Sequence, residues 1–306
     1  MTKLKWLLIT ILLTAITLFT SVYAWLQVSN INILEDISIE VGVGDYLEIS
    51  LDGVNYGKTI DKSTIGSSLK NFAFTDVTTT DNVNFYKGQN YKSKLAIKNV
   101  DYISLDLWFR VLPEQGVAEE NIFNEIYLTN KIEVSYQEAK NSEISGTYVA
   151  SEGKNWMADY TFDNGSSIVR KGTIDKYYAK EAMRIGFVSN TNSFIYDVSE
   201  NEARGYGKPF GAFDYYNLKN RSNKLKEPTV IPPTIYELSH EYPNTGIMNN
   251  DNSQIVVLER IGDYYLGNAT LNIWIEGWDA DAFDAILGDQ ILIQLQFITA
   301  KHIEIG

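Results

Sequence analysis

The densest run of residues able to do chemistry is acidic and lies near the C-terminal end: Glu276, Asp279, Asp281, Asp284 and Asp289. Within it, Asp279-Ala280-Asp281-Ala282-Phe283-Asp284 carries part of a calcium-loop rhythm, because hard oxygen ligands suit calcium and clustered carboxylates repel one another without a cation. Asp279, Asp281 and Asp284 are therefore candidate calcium ligands, and calcium is the only cofactor for which the chain offers a pattern. The loop lacks the glycine at its sixth position and the distal bidentate glutamate of a full calcium loop. A plainer account has the same acids capping and solvating the first turn of a short helix, where the helix dipole favours negative charge. The sequence leaves both open.

No catalytic constellation accompanies these acids. The two histidines, His240 and His302, are far apart and form neither a His-x-x-x-His nor a His-Glu-x-x-His spacing. The absence of cysteine removes thiol nucleophiles, disulfides and cysteine-ligated zinc. No Gly-x-Ser-x-Gly elbow is present. The paired carboxylates of a glycosidase need only meet in space, and nothing in the sequence selects a pair. The expectation is a protein that is not an enzyme.

A second cluster is aromatic. Tyr206, Phe210, Phe213, Tyr215 and Tyr216 are interleaved with Gly205, Gly207 and Gly211. Tyrosine combines apolar area with a polar tip, so such a string can present a flat face to sugar rings or to another subunit. The other reading is that these rings pin a long loop to the body of the protein.

The elements that would position these residues are mostly strands. Apolar residues recur at every second position in Leu47 to Asp52, Ile103 to Val111, Met183 to Phe187, Leu271 to Glu276 and Ile291 to Phe297. Weaker segments fall near Ile31 to Val41, Phe72 to Val77, Tyr91 to Lys98 and Lys131 to Tyr136. One-sided strands at this density predict packed antiparallel sheets, with Arg184, Asn272, Trp274 and Glu276 on a wet outer face. Asn164-Gly165 predicts a tight hairpin between Trp156 and Arg170. Helical pattern is confined to Ala118 to Leu128, Ile174 to Ala182, and Asp279 to Leu287, the last with Asp279 as N-cap and Gly288 at its exit. From Ser199 to Asn252 the pattern lapses, and five of the six prolines fall there, which predicts a long irregular excursion. The expected fold is mainly β: an antiparallel, jelly-roll-like β-sandwich spanning 25–306 as one elaborated domain, with a few short helices and the excursion at 199–252.

The N-terminus predicts export. Lys3 and Lys5 precede an apolar, threonine-diluted run from Trp6 to Phe19 and a small-residue exit at Ser21-Val22-Tyr23-Ala24, the layout of a secretory signal. Cleavage between Ala24 and Trp25 gives a mature chain beginning at Trp25. The alternative is an uncleaved anchor, since Trp6 to Trp25 has about the 20 residues a bilayer needs. Cleavage removes Lys3 and Lys5 and takes the net charge from -13 to -15. A surface that acidic repels phosphate backbones and anionic lipid headgroups, so nucleic acid is excluded as a partner and membrane contact is limited to the N-terminal segment. The freed N-terminus carries Val28, Ile31, Ile33 and Ile37, a β-prone strand able to fold back on its own sheet or to complete a neighbour's edge.

This leader, ending in Val22-Tyr23-Ala24-Trp25-Leu26 and followed at once by β-patterned sequence, resembles the signal junction of the TasA and camelysin group of secreted biofilm-matrix proteins. The resemblance covers about the first 45 residues. It implies a SipW-type signal peptidase, a jelly-roll sandwich, export to the cell surface and, in several members, extracellular fibres knit by passing an N-terminal strand to the next subunit; a secreted chain without cysteine by itself fits Gram-positive export. The family junction often reads Ala-Trp/Tyr-Phe before an acidic or Asn residue, whereas this chain has Trp25-Leu26-Gln27. Metalloprotease activity, a label given to camelysin-like proteins, finds no zinc motif here. The expected function is a secreted or cell-surface structural protein whose partners are itself or related matrix proteins. A carbohydrate- or protein-binding surface module built on Tyr206 to Tyr216 is the alternative.

Overall fold

The computed structural model describes residues 11, 13, 14, 32–42, 46–66, 69, 72–88, 94–113, 122–222 and 224–302. The proposed cleavage residues Ala24 and Trp25, and Val28 and Ile31 of the N-terminal strand, lie outside them. Among the described residues no helix is long and apolar enough to cross a membrane.

The alternating segments form two large sheets, each organised on one long strand. Tyr264–Glu276 is the spine of the first. It pairs antiparallel with Ile103–Val111 on one side and with Met183–Ser189 on the other, and Met183–Ser189 pairs in turn with Ser193–Asp197. Gln290–His302 is the spine of the second, taking Glu125–Leu128 and Tyr148–Ser151 as antiparallel neighbours. The period-two pattern explains why these segments are strands: Ile103, Leu105, Leu107, Phe109 and Val111 all point inward and are buried. The two inner faces share one core. Phe297 of the second sheet meets Phe109 and Phe187 of the first edge-on, at centroid distances of 5.5 and 5.8 Å. Burying each such side chain stabilises the fold by about 1.5–3 kcal/mol. The result is a mainly β protein of two facing sheets with short helices.

Pairing is antiparallel at most positions, and the first strand departs from it. Asn32–Val41 runs parallel to Gln290–His302, in register from Ile33 opposite Gln290 to Val41 opposite Phe297, with a shift between Leu34 and Asp36. Among the described residues, its far edge is met at the ends, by Ala73–Phe74 and Thr59–Ile60.

Several local expectations are corrected. Glu125–Leu128 is a strand rather than the end of a helix, because Ile126, Tyr127 and Leu128 are all buried and a sheet neighbour takes up their backbone groups. Ile174–Tyr177 is likewise a strand, paired with Lys154–Met157, and only Ala179–Ala182 forms a 3-10 turn. Asp279 caps no helix: the single helical turn is Asp284–Ile286, with Phe283 at its N-cap. Leu95 and Lys98 make isolated bridges, and Lys131 a third, whereas Tyr136–Asn141 is an α-helix closed by a Ser135/Glu138 capping box. That Ser-x-x-Glu signature is readable in the sequence. The Asn-Gly hairpin is present as Phe162–Asp163 against Ile168–Val169, with Gly165 at φ 85°. The excursion contains the helix Ala212–Lys219 and the short strands Thr234–Ile235 and Ile247–Met248.

Candidate functional site

The acidic run and the aromatic string, separated by some seventy positions, lie against each other on the outside of the first sheet. The strand Tyr264–Glu276 ends in a turn that carries Asp279, Asp281 and Asp284, and the excursion crosses over that turn. Backbone hydrogen bonds join the two segments: Gly207 N donates to Trp278 O, Ala280 N to Arg204 O, and Ala212 N to Ala280 O, at 2.9, 3.1 and 2.8 Å. The approach is close enough that a Cβ on Gly211, whose φ is +61°, would lie 2.1 Å from the Ala280 carbonyl oxygen. Only glycine fits there, on both steric and conformational grounds.

Each carboxylate of the run has its own partner. Asp279 is 1% exposed and is paired with Arg184, itself 2% exposed, and Arg184 also bridges to Asp197 at 2.8 Å. Asp281 takes a two-pronged contact from Arg204 of the excursion, Nε to Oδ2 at 2.8 Å and Nη2 to Oδ1 at 2.7 Å. Such fork geometry adds directional specificity to the charge attraction. Asp284 accepts the Tyr215 hydroxyl at 2.8 Å and the Tyr216 hydroxyl at 3.3 Å, and pairs with Lys219. Asp289, fully buried, accepts the backbone N–H groups of Gly153, Ala179 and Gln290, each at 2.8 Å. Glu276 accepts Trp274 Nε1 at 2.9 Å and Trp278 N at 3.1 Å.

Burial dominates the electrostatics. Loss of water pushes the Glu276 carboxyl up to about 7, against the hydrogen bonds and the Arg184 charge that favour its ionised form. Burial also raises Asp279 and Asp197, the Asp197 charge adding to the rise at Asp279 and the Asp281 charge to that at Asp197, while Arg184 pulls both down. Asp279 and Asp197, which share one buried arginine, retain a proton more readily than they would in water.

The candidate calcium ligands do not come together as a metal site. Asp279, Asp281 and Asp284 point to three different cations, and among the described residues no group of three or more His, Asp or Glu side chains could hold a metal ion. The aromatic string is divided. Tyr206 and Tyr215 are buried, and Phe210, Phe213 and Tyr216 are partly covered. Tyr215 packs with Trp156, Phe162 and Phe283 at centroid distances of 5.5–5.6 Å, which ties the excursion to the arm formed by Lys154–Met157 and Ile174–Tyr177. The expected wet face at Arg184, Asn272, Trp274 and Glu276 is corrected: all four are at most 3% exposed. The excursion and the 76–87 segment cover that face, a tertiary effect invisible to local alternation.

Comparison with protein-family models, curated proteins and solved structures finds no match for the chain. The site must be read from its own chemistry, and that chemistry is internal. The carboxylates, the guanidiniums and the Tyr215 and Tyr216 hydroxyls are engaged with each other, as suits a joint that fastens a long loop to a sheet.

A cleft of about 190 Å³ lies between the sheets near Lys131, Lys180 and Tyr196. Its charges are also mutually engaged: Lys131 bridges Glu133 at 3.1 Å and Glu200 at 2.8 Å, and Lys180 lies 3.7 Å from Glu133. This volume falls below the range of about 300–1,000 Å³ usual for small-molecule sites. Sequence reasoning missed Arg184 and Asp197 as members of the joint. An arginine at an alternating position reads as an outer-face residue, and nothing nearby in sequence announces the covering segment.

Proposed function

We propose that this chain is a secreted or cell-surface structural protein, a fibre subunit or accessory of an extracellular matrix, that joins copies of itself or related proteins through strand edges. The observation that carries this reading is the placement of Asn32–Val41. The strand nearest the N-terminus is an inserted ribbon, held by parallel pairing to Gln290–His302 and by the burial of Ile37 and Ile39, each 0% exposed. Ile33, near its start, is 42% exposed. Ile37 N donates to its own neighbour's carboxylate, Asp36 Oδ1, at 2.9 Å, so a side chain rather than another strand satisfies that backbone group. A ribbon of this kind makes the same ladder and buries the same isoleucines whether it comes from its own chain or from the next one. The surface role also agrees with the engagement of the acidic and aromatic clusters in holding the fold.

Electron microscopy and sedimentation of the exported protein, with N-terminal sequencing of the same sample, test the reading. Polymers that vanish when Trp25 to Asn32 is deleted are expected. A mature protein that stays monomeric at all concentrations would overturn it.

A further inference from the structure

Outside the joint, an open groove of about 740 Å³ lies on the outer side of the second sheet, bordered by Phe123, Asn130, His240, Glu241, Gln296 and Thr299. Its volume is that of a small-molecule site rather than of a water pocket. The geometry points to a binding groove for a neutral oligosaccharide, a site separate from the Tyr206 to Tyr216 string and independent of strand exchange.

The floor is fixed. Gln296, 6% exposed, donates from Nε2 to Glu40 Oε1 at 3.0 Å and to Ser145 Oγ at 2.7 Å, while its Oε1 accepts from Asn130 Nδ2 at 2.6 Å. Ser145 Oγ donates to Glu40 Oε1 at 2.6 Å, and Gly146 N adds a bond to the same oxygen at 3.1 Å. A network closed in this way holds its members in one orientation before any ligand arrives, which lowers the ordering cost of binding. One wall is the turn that follows His240. Glu241 Oε1 accepts Gly246 N at 2.7 Å, and Thr245 Oγ1 donates to Tyr242 O at 2.8 Å, so the turn is braced by its own side chains. Phe123 is 36% exposed and lies so close over Gly246 that a Cβ there would be 2.4 Å from the ring.

The lining selects the ligand class. Among the described residues neither lysine nor arginine lines the groove, whereas Glu241 does and Glu40 lies under its floor, so anions are disfavoured. Purely apolar ligands would meet amides, hydroxyls and an imidazole. A neutral polyol fits: its hydroxyls both donate and accept, which matches the second amide hydrogen of Asn130, the second oxygen of Glu241 and the lone pairs that Ser145 Oγ and Thr245 Oγ1 keep beyond their bonds within the protein. The apolar C–H face of a sugar ring has the Phe123 ring to pack against.

Isothermal titration of the full chain with maltotetraose, cellotetraose, mannotetraose and chitotetraose tests this inference. Saturable binding to at least one of them is expected. Phe123→Ala should weaken it at least tenfold and Glu241→Gln severalfold, with Ile168→Ala in the distant Asn164-Gly165 hairpin as an unaffected control. Thr245→Trp, at an exposed rim position, should fill the groove, with a cooperative thermal unfolding transition as the check that the variant is folded despite losing the bonds of Thr245 to Tyr242 and Ile247, which keeps the test decisive if Phe123→Ala fails to fold. Absence of heat with all four at about 5 mM, or binding that survives Thr245→Trp, would overturn the inference. So would occupation of the groove by calcium alone that Glu241→Gln abolishes. Fibre formation has no part in these readouts, so failure of the groove and failure of the assembly reading are distinguishable.

Discussion

Arg184 and Asp279 pair across 95 positions of sequence, in contact and almost wholly out of water at 2% and 1% exposure. The pair sits where the excursion meets the sheet, and Asp197 completes it from the neighbouring strand. Asp279→Ala leaves Arg184 with Asp197 as its remaining carboxylate but opens a buried polar gap, and should destabilise the protein by about 1–3 kcal/mol. The double variant Arg184→Met, Asp279→Leu should lose clearly less than the sum of its two single variants. Urea denaturation of the four proteins measures this coupling, and additive losses would contradict it.

Glu276 gives stability a pH dependence of defined sign. Its folded-state carboxyl is raised to about 7 from an ordinary value of 4.5, so the folded protein holds this proton more tightly than the unfolded chain. The contribution is complete below about pH 4.5 and is lost as pH rises through about 7, a change of up to roughly 3 kcal/mol. Glu276→Gln, which carries no titrating proton, should remove this component. The stability difference between wild type and variant, followed by denaturation from pH 4.5 to 8, should shift against wild type with rising pH, and a flat difference would refute the assignment.

Tyr215 separates packing from surface recognition. Tyr215→Phe deletes the hydroxyl bond to Asp284 and should cost about 1 kcal/mol. Tyr215→Ala removes the ring from among Trp156, Phe162 and Phe283 and should cost about 3–5 kcal/mol. Both are read by thermal unfolding. Gly211→Ala should loosen the same joint by about 3 kcal/mol through its clash with the Ala280 carbonyl and its positive φ. Faster proteolysis within 199–252 is the expected companion of Gly211→Ala, and unchanged cleavage would show that the excursion is held elsewhere.

Calcium should leave the unfolding midpoint unchanged. Asp279, Asp281 and Asp284 each answer to a separate arginine or lysine, and a cation would have to displace all three to gather them. A rise of more than a few degrees in millimolar calcium, reversed by chelation, would overturn this reading of the acids.

The alternating runs at Ile103 to Val111 and Ile291 to Phe297 made the strands and the inward face legible from sequence, because a residue's side of a pleat follows from its parity alone. The Ser135/Glu138 box shows that one missed helix was legible too. Parity says which residues share a face and nothing about what covers it. Arg184, Asn272, Trp274 and Glu276 are on one side of their strands as the pattern requires, and they are buried because chain from elsewhere in the sequence folds over them. The candidate residues follow the same division. Composition and spacing singled out Asp279, Asp281, Asp284, Tyr206 and Tyr215, but whether an acid is a metal ligand or half of an ion pair depends on which cation the fold brings within 3 Å. The sequence by itself determined a mainly β chain with acidic and aromatic clusters near its C-terminal half. The tertiary structure alone decided that the clusters hold each other, since burial and long-range pairing arise only once the excursion lies on the sheet.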